Sequence, residues 1–68
     1  MRKDLILPDG RLVGWYYDDG YQIWAYLNTG RLVGYYNKNS KTTYDQAGKV
    51  VQYGGMESLA MLIMSNFS

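Results

Sequence analysis

Apolar and polar positions alternate in short bursts along this chain. Turn residues interrupt them about every ten positions: Pro8-Asp9-Gly10, Asp18-Asp19-Gly20, Asn28-Thr29-Gly30, Asn37-Lys38-Asn39-Ser40 and Gln46-Ala47-Gly48. Runs rich in Val, Ile, Tyr and Trp between such turns are the pattern of short antiparallel strands joined by hairpins. Six strands are predicted, near Lys3 to Leu7, Arg11 to Tyr17, Tyr21 to Leu27, Arg31 to Tyr36, Lys41 to Asp45 and Lys49 to Tyr53. After Gly54-Gly55 the texture changes. Residues 56–65 hold good helix formers, no turn residue, and Glu57 where the helix dipole favours an acid, so they are expected to form one helix.

The strands are not independent of one another. Gly10-Arg11-Leu12-Val13-Gly14-Trp15-Tyr16 returns as Gly30-Arg31-Leu32-Val33-Gly34-Tyr35-Tyr36 and again as Gly48-Lys49-Val50-Val51-Gln52-Tyr53-Gly54, at steps of 20 and 18 residues. Duplication of one hairpin unit explains this, with repeats at 3–17, 21–36 and 41–54. The first strand of each unit carries Ile6, Tyr26 or Tyr44 four residues before the turn glycine. The second carries Val13, Val33 or Val51 three residues after it. The fold expected is therefore mainly β: an antiparallel meander of about six short strands, three hairpin repeats, with one C-terminal helix, as a single domain over residues 1–68.

Side chains two apart share a strand face, which sets Val13 with Trp15, Val33 with Tyr35 and Val51 with Tyr53 on the expected core face. Leu12, Leu32 and Val50 point the other way, beside Gly14, Gly34 and Gln52. A glycine inside a strand marks a bulge or the close approach of another group, an aromatic ring lying over it being one solution. On the helix, Met56, Leu59 and Ile63 fall on one side, while Met61, Leu62 and Met64 spread apolar surface around most of the circumference. A second subunit is the expected cover, with Leu59, Met61, Leu62 and Met64 in the interface.

The form Tyr-x-x-x-Gly-x-x-Val-x-Tyr is carried by Tyr26-Gly30-Val33-Tyr35 and Tyr44-Gly48-Val51-Tyr53, and more loosely by Ile6-Gly10-Val13-Trp15. In a chain of this length it resembles the small bacterial proteins called four-fold β flower proteins. The resemblance implies repeated hairpins set around a centre, and no defined activity. Three copies are present, and the Met-rich tail lies outside the pattern. Repeats of the MORN and WG types share the Gly-aromatic rhythm, but their fuller signatures are not matched.

Composition narrows the chemistry more than it identifies it. A chain of 68 residues buries only about 60% of its unfolded surface, and with neither Cys nor His it has no disulfide and lacks the commonest zinc ligands. Eight Tyr, two Trp and one Phe remain to supply an aromatic core, an interface, or both. Seven basic against six acidic residues give a net charge of +1, without the cationic footprint of a typical nucleic-acid binder. The apolar run at the N-terminus is too short for a signal peptide and no stretch reaches the length of a membrane span, so a cytoplasmic protein making no membrane contact is expected.

Catalysis has few residues to use, because the usual imidazole base and thiol nucleophile are missing. Asp18-Asp19 before Gly20 reads as hairpin-turn chemistry, and Asp4, Asp9 and Asp45 show no metal-ligand spacing. Gly54-Gly55 before the helix lacks the Lys-Ser or Lys-Thr of a P-loop and reads as a hinge. No enzymatic role, cofactor or metal is expected. Arg11, Arg31 and Lys49 occupy one place in successive repeats and would line a rim if the hairpins share an axis, offering a phosphate or carboxylate site. With Tyr17, Trp24 and Tyr36 they are the candidate binding residues. The expected function is a non-enzymatic binding or assembly module acting through protein contacts, as a homo-oligomer, with inhibition of another protein as one form of such contact. The alternative is a binder of a nucleotide or single-stranded nucleic acid through aromatic stacking and the cationic rim.

Overall fold

The structure, a computed structural model, describes residues 1–67; the C-terminal residue of the expected domain lies outside them. Six strands follow one another as β1 (Arg2–Ile6), β2 (Leu12–Asp18), β3 (Gln22–Leu27), β4 (Leu32–Asn37), β5 (Thr42–Asp45) and β6 (Val50–Tyr53), and the helix α1 spans Glu57–Asn66. They form a single antiparallel sheet in the order β1-β2-β3-β4-β5-β6, a plain meander, with the helix laid across β2 to β5. The expected architecture is therefore present, each element within a residue or two of its predicted bounds. The hairpins lie side by side in an open sheet.

The three repeats share their geometry in detail. In each, the turn glycine takes a left-handed conformation, φ +93° at Gly10, +90° at Gly30 and +82° at Gly48, where a side chain would be strained. Just beyond it the ladder slips by one residue. Ile6 faces Leu12 but Leu5 faces Gly14; Tyr26 faces Leu32 but Ala25 faces Gly34; Tyr44 faces Val50 but Thr43 faces Gln52. The residue left over is Val13, Val33 or Val51, so each repeat carries a β-bulge at its valine.

That bulge overturns the expected core face. Strict alternation sets the valine with the aromatic two residues on, but the extra residue turns the valine to the side of the following glycine. Val13 and Val33 are buried with Ala25, Leu27, Leu59 and Ile63 under the helix. Trp15, Tyr35 and Tyr53 go to the opposite side. The third repeat departs again: Val51 is 47% exposed, against 0% for Val13 and 3% for Val33.

Gly14 and Gly34 are where the helix comes down on the sheet. A Cβ on Gly34 would stand 2.6 Å from Leu62 Cδ1 and 2.6 Å from the Tyr44 carbonyl oxygen; one on Gly14 would meet Ile63 Cγ2 at 2.8 Å and press on the Tyr26 carbonyl. The close approach and the bulge both occur, and an aliphatic side chain, not an aromatic ring, lies over each glycine. At the equivalent place in the third repeat stands Gln52, and it does a different job. Its Oε1 accepts the Ser58 N–H at 2.8 Å and its amide donates to the Glu57 carboxylate, occupying the helix N-terminus that Met56 leaves without a side-chain cap. Buried Thr43 ties down the same end, donating its hydroxyl to the Gly55 carbonyl at 2.6 Å.

Candidate functional site

With the helix on one side, the other side of the sheet is an aromatic surface. Cross-strand register brings Arg2, Tyr17, Trp24, Tyr35, Tyr44 and Val50 into one row that crosses all six strands. A second row holds Asp4, Trp15, Tyr26 and Leu32. The ring centroids of Trp15 and Tyr26 are 5.9 Å apart at 25°, those of Trp24 and Tyr35 5.2 Å at 38°, and those of Tyr35 and Tyr44 5.1 Å at 22°.

These distances define how the rings stand. Neighbouring strands are about 4.8 Å apart, so centroids only slightly farther apart belong to rings packed along the row, Trp15 with Tyr26 and Tyr35 with Tyr44 stacked, and Trp24 tilted against Tyr35. Each such pair contributes about 0.5–1.5 kcal/mol beyond its burial. Ring faces are thus spent on neighbouring rings, and the Arg2 guanidinium lies 4.1 Å over Trp15. The Tyr35 hydroxyl leans along the sheet to the β5–β6 turn, where a Cβ on Gly48 would stand 3.5 Å from it.

Trp24 is fixed from the turn beside it. Its indole N–H donates to Asp19 Oδ2 at 2.9 Å, while Asp19 Oδ1 accepts the backbone N–H groups of Tyr21 and Gln22. The indole bond first, and then the two backbone bonds, hold the Asp19 carboxyl at about 2. Asp18 accepts the Gly20 N–H and pairs with Lys38 at 2.7 Å, and these bonds lower its pKa as well. The acidic pair is turn chemistry, as its sequence suggests.

The residues proposed from sequence do not meet at one place. Arg11, Arg31 and Lys49 stand at the same end of the sheet but two strands apart from one another, about 10 Å, so they form a row and not a ring, and one phosphate cannot span them. Arg11 is already paired with Asp9 at 2.8 Å and lies over Phe67 at 5.6 Å. Tyr17 and Trp24 face each other on the aromatic side but near the other end of their strands, about 20 Å from Arg11 at the usual rise per residue. Tyr36 is on the helix side, half-buried against the core. Of the expected interface residues, Leu59 is fully buried in the chain's own core, Leu62 packs over Gly34 while staying half-exposed, and Met61 and Met64 are exposed.

Trp15, Tyr26, Tyr35 and Tyr44 are the surface residues that alternation misplaced or passed over. The adjacent Val-Gly in two of the repeats is the signal of the bulge that sets Trp15 and Tyr35 on this side, where all four are half-buried. On the helix side a cleft of about 230 Å³ lies among Met1, Lys3, Tyr16, Asp18, Ile23 and Met56, smaller than the roughly 300–1,000 Å³ of ligand pockets. Burial pushes the Tyr16 phenol up. Among the described residues no three acidic groups gather as a metal site, and no helix is long and apolar enough to cross a membrane. No family model matches the chain, and neither a curated protein nor a solved structure matches it significantly.

Proposed function

We propose that this protein is a non-enzymatic binding and assembly module that works through protein–protein contacts, in the first place with copies of itself. One observation carries the proposal: the sheet is apolar on both sides and has a single helix to cover it. The stacked rows around Trp15, Tyr26, Trp24, Tyr35 and Tyr44 form a broad aromatic surface of the composition enriched in protein interfaces, with Arg2 laid over its margin. Stacking on nucleobases draws less support, because that mode needs open ring faces and a basic groove, and here the faces are turned to each other.

The test is the mass in solution by light scattering, from micromolar to millimolar concentration. A mass rising above the 7.8 kDa of the single chain is the expected result. A strict monomer throughout overturns the self-assembly reading.

A further inference from the structure

We infer that copies of this chain join edge to edge, β6 of one pairing antiparallel with β1 of the next in the register that joins β2 to β3 and β4 to β5. The inference rests on the assembly reading and specifies its contact. Within the sheet, the second strand of each hairpin is followed by the first strand of the next one. The fifth residue after the turn glycine then lies opposite the fourth before the next: Trp15 faces Tyr26, and Tyr35 faces Tyr44, with the rings of both pairs stacked. The third residue of the first kind is Tyr53 and the third of the second kind is Ile6. They stand on opposite edges of the sheet, each without its counterpart, 80% and 55% exposed.

Carrying the register onward supplies both at once. Tyr53 faces Ile6 of the next copy, and Gln52 faces its Leu7 as Gly14 faces Leu27. On the helix side of the same edge lies a cleft of about 340 Å³ lined by Val51, Ser58, Met61, Leu62 and Ser65. The neighbour's Leu7, at the place of the buried Leu27 and half-buried against its own core, continues that surface beside the one repeat valine left exposed. Charge agrees with the pairing. Lys3 of the incoming strand, on the helix side, extends past the end of β6 toward the start of α1, where Glu57 stands. Such a contact is heterologous, so it produces a closed ring or a growing filament.

Two variants on exposed positions test it, Ile6→Lys and Tyr53→Lys, each kept only if its far-ultraviolet circular dichroism matches the parent. Each blocks one edge and should be monomeric alone. Mixed in equal amounts they should give a species of twice the chain mass and nothing larger, because one intact β6 meets one intact β1. Should either variant fail to fold, an Ile6→Cys, Tyr53→Cys chain decides instead: oxidation followed by peptide mapping should give bonds between positions 6 and 53 of different copies, their Cα atoms about 4.5–5.5 Å apart, and bonds only of 6 to 6 and 53 to 53 overturn the register. Mixing two monomeric variants without recovery overturns the register; Ile6→Lys remaining a dimer while Tyr53→Lys is monomeric points to β6 pairing with itself and overturns it too. Assembly retained in both variants but lost in Tyr35→Lys moves the contact to the aromatic face, overturning the edge pairing and leaving the assembly reading intact. A parent chain monomeric at every concentration overturns both.

Discussion

Replacing Gly34 by alanine separates two physical effects of opposite sign. Glycine in a strand interior is conformationally costly, so entropy alone makes Gly34→Ala stabilising by about 0.5–1 kcal/mol. The structure argues the reverse. The added methyl would sit 2.6 Å from Leu62 Cδ1 and 2.6 Å from the Tyr44 carbonyl oxygen, well inside contact distance. Leu62 is half-exposed at the end of a flexible side chain and can swing aside; the carbonyl belongs to the β4–β5 ladder and cannot move without disturbing it. Overpacking of this kind costs about 1–3 kcal/mol. A chain of 68 residues holds in all about 3–10 kcal/mol, so the loss is a large share of the total. Urea unfolding followed by tryptophan fluorescence reads it directly, and a thermal scan should fall by about 4–8 °C per kcal/mol. In a Leu62→Ala background the cost should shrink without vanishing, since the carbonyl contact stays. Gly14→Ala should cost more than Gly34→Ala, because Ile63 above it is fully buried. An unchanged or raised midpoint for Gly34→Ala would mean that the helix does not rest on the sheet there.

Two further outcomes follow from the same packing and from the turn beside Trp24. Leu59→Ala should lose about 2–5 kcal/mol in the same urea assay, as expected for truncating a fully buried leucine; a loss below about 1 kcal/mol would refute its place at the centre of the core. Asp19 is held at about 2, below its ordinary 3.8, so its stabilising contribution is complete above pH 3.8 and disappears as pH falls through about 2. Tryptophan emission should change over that acid window and lose the change in Asp19→Asn, whereas a transition centred near 3.8 would show that the carboxylate does not hold the indole.

How much of this was legible in the sequence depends on whether the cause was local. Turn glycines, alternating apolar residues and the loss of turn signals after Gly55 are local, and they locate every strand and the helix. Face assignment was not local. Alternation from Val13 to Trp15 assumes an unbroken ladder, and a single inserted residue reverses the sides, although the glycine after the valine marks the irregularity. Gln52 was equally hidden: in the repeat it is only the residue that replaces Gly14 and Gly34, and its role exists because α1 begins above it. The expected cationic rim did not close for a related reason. Arg11, Arg31 and Lys49 do share one place in the repeat, but equivalent places are gathered into a ring only by a closed arrangement, and a meander spreads them along a line.

The lengths of the two layers set a proportion. Ten residues of helix extend about 15 Å, while six strands span about 24 Å from the first to the last. Its packing falls on β2 to β5, and its first turn also reaches β6 through Gln52. β1 is left beyond it on one side, and β6 is held to it only at Gln52 on the other. A chain of two hairpins would be fully roofed by this helix, and a fourth hairpin would leave two more strands bare, so the length of α1, not the number of repeats, decides how wide a sheet one copy can cover by itself.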